Sequence, residues 1–253
     1  MLFCIDDTDN LESIGTGKLL ENLCESMEKK GWISLTYISR HQLYIHDSIA
    51  YTSHNSAMCC QLNILEGQFE NVLSYSKEYL LKNSAEGSDP GLCVIKIEDL
   101  SIDGQKEIIS YGMMAKSVVL KKTDAYNIAE KYPNIIFLSE HGGTGDGVIG
   151  ALAGCGLRFY GSDGRIKGNF KLKDNSNQIT VKEFCKELDI SLAVNEGFEV
   201  INNQDTLICQ SVDKIKKVLW KHLPTVVLEP NGDNKNQWKV INKNDLNRKG
   251  IGR

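Results

Sequence analysis

Apolar positions along the first 140 residues alternate between strand and helix periodicities. Residues 1–5 are apolar on both faces and predict a buried strand. Residues 16–30 carry their leucines and Met27 on one helical stripe. Strands are also predicted at 33–39, 57–65, 92–97 and 135–138, and helices at 68–82 and within 105–131. These patterns predict an α+β fold of mixed sheets with helices.

The pattern changes from about residue 169 onward. It predicts helices at 181–188 and 212–222, then a hairpin at Asn231-Gly232, a pair that favours a type I′ turn. Polar and turn residues cluster before the first of these helices. We therefore expect two parts: a larger region at 1–170 and a small α/β C-terminal subdomain at 171–253.

Composition and cysteine usage narrow the class of protein. No run approaches the roughly 18 consecutive apolar residues of a membrane span, so no membrane partner is expected. The N-terminus lacks the features of a signal peptide. The 8 cysteines contain no C-x-x-C pair, which favours reduced, buried thiols and a cytoplasmic location. The pattern does not indicate an oligomeric state.

Charge is distributed unevenly along the chain. The net charge is −4, yet residues 206–253 carry 10 Lys and Arg against 4 Asp and Glu. A helix at 212–222 would place Lys214, Lys217 and Lys221 on one face. RNA is one partner that fits this basic segment, and a solvated helix face is the other interpretation.

Three carboxylates follow the first predicted strand. Asp6, Asp7 and Asp9 lie within four residues, where like charges repel. Mg²⁺ uses hard oxygen ligands and completes its shell with water and substrate phosphates. These three aspartates are therefore the candidate metal ligands, and Mg²⁺ and ATP are the expected cofactors. Each alone could instead cap a strand end or a turn.

A glycine-rich stretch at 140–168 holds 10 of the 22 glycines. Glycines there could let backbone N–H groups approach phosphate, or could serve only close packing. Gly145 to Gly150 fits G-x-G-x-x-G, a weak match, because a helix starting there would be cut short by Gly154 and Gly156. The candidate phosphate-binding residues are Gly142, Gly143, Gly145, Gly147 and Gly150.

Several motifs together resemble the archaeal tRNA-isoleucine agmatinylcytidine synthetase family. They are Asp6-Asp7-Thr8-Asp9 followed by Thr16, then residues 51–57, Asp89-Pro90-Gly91 and residues 147–153, in the same order. The resemblance covers roughly residues 1–170. It implies a kinase-like domain with the DDTD carboxylates at an Mg²⁺–ATP site, and a ferredoxin-like portion, for which residues 57–97 are candidates.

The resemblance also assigns roles to individual residues. It implies that Asp6, Asp7 and Asp9 hold the metal, and that Thr16 takes part in phosphoryl transfer. Asn55 matches the asparagine of a substrate-contacting motif, while His54 and Arg40 are weaker candidates for substrate contacts. The family ends in a nucleic-acid-binding barrel and a zinc ribbon, whose cysteines are absent here. The expected function is ATP-dependent phosphoryl transfer or ligation with an unidentified acceptor, perhaps not tRNA.

Two alternatives remain open at the level of sequence. Asp7-Thr8-Asp9 has the D-x-D spacing of a haloacid-dehalogenase-type phosphatase, in which the first aspartate is the nucleophile and the second the general acid. Gly145-Asp146-Gly147 imitates the later metal-binding loop of such an enzyme. The other alternative is a non-catalytic nucleotide- or RNA-binding protein.

Overall fold

The structure is a computed structural model that describes residues 1–49, 51–52, 54–172, 178–208, 215–234 and 236–252. The chain divides into two compact units: unit 1, Met1–Tyr160, and unit 2, Gly161–Arg253. The expected boundary after residue 170 falls inside unit 2. Strand residues at 165–166 pair with a strand at 218–220, and Phe170 bridges Ile215, so this segment already belongs to the second unit.

Unit 1 alternates strands and helices much as the hydrophobic pattern predicted. Its strands are β1 (Leu2–Asp6), β2 (Ile33–Gln42), β3 (Ser56–Ile64), β4 (Gly91–Ile95) and β5 (Ile136–Glu140). Its helices are α1 (Thr16–Lys29), α2 (Phe69–Asn83), α3 (Ile102–Met114), α4 (Lys122–Ala129) and α5 (Gly147–Tyr160), with a 3₁₀ turn at Ile97–Asp99. None of the described helices in the chain is both long enough and apolar enough to cross a membrane.

The unit 1 sheet explains why β1 is apolar on both faces. The strand order is β5-β4-β1-β3-β2, and every neighbouring pair is antiparallel. The first four strands with α1 and α2 form a βαββαβ unit of order β4-β1-β3-β2, the ferredoxin-like arrangement. This portion was predicted at 57–97, but it begins with β1. The aspartates therefore follow a central strand of the ferredoxin-like sheet rather than lying in a separate domain.

Helices cover both faces of this sheet. α1 and α2 pack on one face, where Leu20, Leu23 and Leu80 meet Phe3 and other strand residues. α3, α4 and α5 pack on the opposite face. Because β1 lies in the middle of this three-layer arrangement, the residues that follow it reach the surface at the end of the sheet.

Helix α5 is longer than the sequence predicted. It continues through Gly154 and Gly156 to Tyr160, so the expectation that these glycines would cut it short was wrong. A Cβ at Gly156 would overlap the carbonyl oxygen of Ile108 in α3, and a Cβ at Gly154 would overlap the Cys4 thiol in β1. The helix thus passes so close to its neighbours that only glycine fits, and burial offsets the low helix propensity of glycine.

Unit 2 has a mixed sheet of short strands. Its elements are β6 (Arg165–Ile166), β7 (Gln178–Thr180), α6 (Val181–Glu187), β8 (Leu192–Val194), β9 (Thr206–Ile208), β10 (Val218–Trp220), β11 (Leu223–Pro230), β12 (Gln237–Val240) and α7 (Lys243–Arg248). The order is β6-β10-β11-β12-β9-β7, with β8 also pairing with β11. The predicted helix at 181–188 corresponds to α6, which Thr180 caps by accepting a hydrogen bond from Glu183 N.

The helix predicted at 212–222 is wrong where the structure describes this segment. Residues 212–214, including Lys214, lie outside the described residues, and 218–220 form strand β10. Lys221 and His222 then make a two-residue turn into β11 with φ of 48° and 65°. That left-handed pair matches the twist of a hairpin, although neither residue type signals it.

The basic face predicted for that helix is absent from the described residues. Lys217 is only 6% exposed, and its Nζ lies 3.9 Å from the centre of the Phe170 ring. Burial lowers the pKa of Lys217. Lys221, in contrast, is exposed in the turn. The hairpin predicted at Asn231-Gly232 is present as β11 and β12, but residues 231–236 make a longer connection than a two-residue type I′ turn.

Candidate functional site

A cavity of about 160 Å³ opens at the end of β1 in unit 1. It is bounded by the residues after β1, the segment 43–56, the turn before β4, the segment 115–120 and the start of α5. Its polar wall contains five carboxylates, which we call the carboxylate cluster: Asp6, Asp7, Asp9, Asp89 and Asp146. The three predicted metal ligands are therefore together, and two further aspartates join them.

The fold brings the members of this cluster from three separate segments. β1 and β4 are adjacent and antiparallel, with Asp6 in register with Gly91, so the turn that contains Asp89 lies beside the end of β1. Asp146 immediately precedes α5, whose Gly147 N donates to Asp89 O at 3.0 Å. The sequence signals for the two additional aspartates were the Asp-Pro-Gly turn and the Gly-Asp-Gly of the glycine stretch.

The carboxylates of this cluster perturb one another. Burial, followed by the charge of Asp7, raises the pKa of Asp6 well above its usual range. Burial also raises the pKa of Asp7 to about 6, and the charges of Asp89, Asp9 and Asp146 add to the effect. Asp7 has φ of 52°, a left-handed conformation that aspartate tolerates better than most residues. The fold therefore holds repelling acids together in a backbone conformation that is itself uncommon.

Thr16, the predicted phosphoryl-transfer residue, is the first residue of α1 and lines the cavity. Its hydroxyl donates to Asp9 Oδ1 at 2.8 Å and accepts from Thr8 Oγ1 at 3.1 Å. The Thr8 side chain is buried. This chain of hydrogen bonds fixes the Asp9 carboxylate relative to the first turn of α1.

Gly147 and Gly150 line the cavity at the first turn of α5. A Cβ at Gly150 would overlap the Asp6 carboxylate, and one at Gly147 would lie 2.6 Å from Gly91 N and 2.9 Å from Asp6 O. Glycine at these positions lets the helix begin directly against the end of β1. The positive end of the α5 dipole consequently lies beside the carboxylate cluster.

The other three glycine candidates lie just before α5 and are not among the residues that line the cavity. They are Gly142, Gly143 and Gly145. Thr144 N donates to Asp89 Oδ1, and Gly145 N donates to Gly142 O at 3.1 Å. Lys122 Nζ donates to Thr144 O at 2.6 Å. Several polar groups of this loop are thus already bonded within the protein, and the phosphate role of these three glycines stays a prediction.

Asn55 and His54 lie on the opposite wall of the cavity, whereas Arg40 is not among its lining residues. Asn55 Nδ2 donates to Tyr44 O at 2.6 Å, and Asn55 O accepts from Leu43 N at 2.8 Å. These bonds close the neck of the segment 43–55. Asn55 therefore braces this wall, and substrate contact by its side chain stays a prediction.

The donor set of the cavity fits a hard divalent cation. Its five carboxylates supply oxygen ligands, and none of the described lining residues is a lysine or an arginine. Without a cation, the raised pKa values of Asp6 and Asp7 reflect charge that the protein itself does not neutralise. Mg²⁺ or a similar ion bound there would offset this repulsion.

The chain is similar in fold to solved structures of TiaS, a tRNA agmatidine synthetase. Apo TiaS is 21% identical over 61% of this chain and 34% of that chain, with a TM-score of 0.52. A complex of TiaS with tRNA, AMPCPP and agmatine is 18% identical over 72% of this chain and 42% of that chain, with a TM-score of 0.52. A tRNA fluorescent labelling enzyme is 22% identical over 61% and 35% of the two chains, with a TM-score of 0.51.

These similarities confirm the predicted resemblance at the level of fold. The mixed class of sheets and helices is confirmed with it. The chain spans 34% to 42% of the length of these solved proteins. No protein-family model matches the chain. No curated protein matches it either.

Proposed function

We propose that the cavity of unit 1 binds Mg²⁺–ATP and transfers a phosphoryl or nucleotidyl group to an acceptor. The observation that carries this proposal is the convergence of five carboxylates on the N-terminus of α5, in a cavity whose described lining contains no lysine or arginine. A polyphosphate could not approach such a wall unaided, because like charges repel. A divalent ion makes the two compatible.

In this proposal each wall of the cavity has a distinct task. Asp6, Asp7 and Asp9 hold the ion, with Asp89 and Asp146 within the same electrostatic cluster. When bound, Mg²⁺ supplies positive charge to phosphate oxygens and orients them. The hydrogen bond from Thr16 fixes the direction of the Asp9 carboxylate. Transfer to or from the Thr16 hydroxyl would require that this bond be given up.

The start of α5 supports the same use of the cavity. A helix N-terminus favours anions, and Gly147 and Gly150 have no side chains to keep a phosphate oxygen away. The cavity also has an apolar side, which includes Ile49, Val118 and Leu120. We assign that side to the nucleobase, since ligand pockets combine apolar walls with a few convergent polar groups.

The nature of the acceptor is proposed from the similar structures. TiaS has been solved with tRNA and ATP, and with tRNA, AMPCPP and agmatine. We propose an RNA acceptor, with a small amine as a second substrate, and a cytoplasmic location consistent with the seven described cysteines being free. The haloacid-dehalogenase interpretation and the non-catalytic interpretation lack such support.

The test follows the label of ATP into products. Purified protein is incubated with bulk tRNA and Mg²⁺ and with ATP labelled at either the α or the γ phosphate. Label in RNA from α-labelled ATP indicates nucleotidyl transfer, and label from γ-labelled ATP indicates phosphoryl transfer. Asp89→Asn serves as the matched variant, because it removes one charge of the cluster and keeps the side-chain shape.

The other results separate the alternatives. A γ-labelled acyl phosphate on the protein would favour the phosphatase, with Asp7 as its nucleophile. ATP binding without label in any product, across RNA and amine acceptors, would favour the non-catalytic interpretation. Transfer by Asp89→Asn at the rate of the unmodified protein would exclude Asp89 from the reaction site.

A further inference from the structure

A layer of cysteine side chains lies between the unit 1 sheet and α5. Cys4 of β1 is in register with Cys59 of β3 on one side and with Cys93 of β4 on the other. Cys155 of α5 belongs to the same core cluster, and all four residues are fully buried. Side chains directly opposite in an antiparallel pair lie about 4.5–5.5 Å apart at Cβ. The topology therefore concentrates thiols from four elements.

Three of these thiols have the geometry of a metal site. The Sγ atoms of Cys4, Cys59 and Cys155 all lie within 4.8 Å of one another. Three sulfurs in a plane, each about 2.3 Å from a central ion, would be about 4 Å apart. Gly154 permits this closeness, because a Cβ there would overlap the Cys4 sulfur. Only small side-chain movements would be needed to close the three sulfurs around an ion.

A buried cation accompanies the thiols. Arg158 follows Cys155 by one turn of α5, is 4% exposed, and its charge acts on Cys59. Its guanidinium carbon lies 4.8 Å from the centre of the Tyr37 ring, and its Nε has no hydrogen-bond partner among the described residues. A buried charge is costly unless it is compensated. An anionic metal–thiolate group nearby would supply that compensation.

We propose that Cys4, Cys59 and Cys155 form a three-sulfur binding site for a soft metal ion, with Cu(I) as the matching ion. Thiolate ligands select Cu(I) and Zn(II), but structural zinc sites almost always have four protein ligands. Within the described residues, the group has three members and no fourth His, Cys, Asp or Glu ligand. Each cysteine releases its thiol proton on binding, so three thiolates and Cu(I) carry two net negative charges, which Arg158 partly offsets.

The test is metal loading of the full-length chain during anaerobic refolding, because the thiols are buried in the folded state. Cu(I) is supplied with a reductant, weakly bound metal is removed with a chelator, and native mass spectrometry counts the ions retained. We expect one Cu(I) per chain and a thiolate-to-copper charge-transfer band. Cys59→Ser should lose both, whereas Cys185→Ser, which changes a thiol of unit 2, should keep both.

A measurement on the unmodified protein keeps the proposal testable if Cys59→Ser fails to fold. X-ray absorption at the copper edge should show three sulfur ligands at about 2.3 Å. No retained copper, or copper with nitrogen and oxygen ligands, would overturn the proposal and leave the thiols as small apolar core residues. Retention by folded Cys59→Ser would also overturn it, and binding of Zn(II) in preference to Cu(I) would overturn the choice of ion.

Discussion

Replacing Asp7 by asparagine should stabilise the metal-free protein and abolish its response to Mg²⁺–ATP. The pKa of Asp7 is raised from 3.8 to about 6 by burial and by Asp89, Asp9 and Asp146. A shift of roughly two units corresponds to about 3 kcal/mol. Asp7 is only partly buried, so solvent screening reduces this, and we expect a gain of about 1–2 kcal/mol in the free energy of unfolding at pH 7.5.

The sign of the pH dependence follows from the same shift. A carboxyl whose pKa is higher in the folded than in the unfolded state contributes stability that is present below the unfolded value of 3.8 and is lost as the pH rises through about 6. The metal-free protein should therefore lose stability between pH 4 and pH 7 relative to Asp7→Asn. Saturating Mg²⁺ should remove this difference, because the ion favours the ionised carboxylate.

Thermal unfolding followed by circular dichroism measures both effects. For a chain of this size we expect Asp7→Asn to raise Tm by about 2–8 °C without metal. Mg²⁺–ATP at 100-fold above Kd should stabilise the unmodified protein by about 2.7 kcal/mol, and the variant much less. Asp189→Asn is a matched control, since Asp189 also has a left-handed φ, of 50°, and lies in unit 2.

Two outcomes would refute this reasoning. If Asp7→Asn lowers the stability of the metal-free protein, the carboxylates do not repel one another as inferred. If the variant keeps the full response to Mg²⁺–ATP, Asp7 does not hold the ion. An equal rise in Tm for Asp189→Asn would trace the effect to the backbone conformation.

Three further predictions concern other parts of the chain. Gly147→Val should abolish ATP binding, measured by calorimetry, because its side chain would meet Gly91 and Asp6; unchanged affinity in a folded variant would contradict the phosphate role of α5. Gly156→Ala should cost about 1–3 kcal/mol in urea unfolding through overlap with α3, and a neutral result would show that α5 can move away. If unit 2 contacts RNA, Lys221→Glu should weaken tRNA binding and flatten its salt dependence by about 0.9 per lost contact on a duplex, while leaving ATP affinity unchanged; an unaltered slope would remove Lys221 from the interface.

Much of unit 1 was predictable because its strands and helices are long and periodic. The apolar residues 1–5 indicated a buried strand, which the structure confirms as the centre of a covered sheet. The length of α5 was not predictable, since Gly154 and Gly156 disfavour a helix locally and only contact with α3 and β1 explains them. Tertiary packing overrode local propensity at this helix.

The remaining differences have equally specific causes. Asp89 and Asp146 join the cluster only because β4 pairs with β1 and α5 begins beside that pair, which no local spacing reveals. Residues 218–222 carry an apolar pattern that suits a helix or a strand, and the turn at Lys221-His222 uses left-handed residues without the usual glycine. A strand signal there was therefore hidden by the chemistry of the turn.

The central claim is that the carboxylate cluster of unit 1 accepts ATP only together with a divalent ion. Isothermal titration of ATP into the protein, with Mg²⁺ and then with a chelator in its place, tests this most directly. The account predicts saturable binding with Mg²⁺, and loss of that binding both in the chelator and in Asp6→Asn. Binding of equal affinity without Mg²⁺ would contradict it.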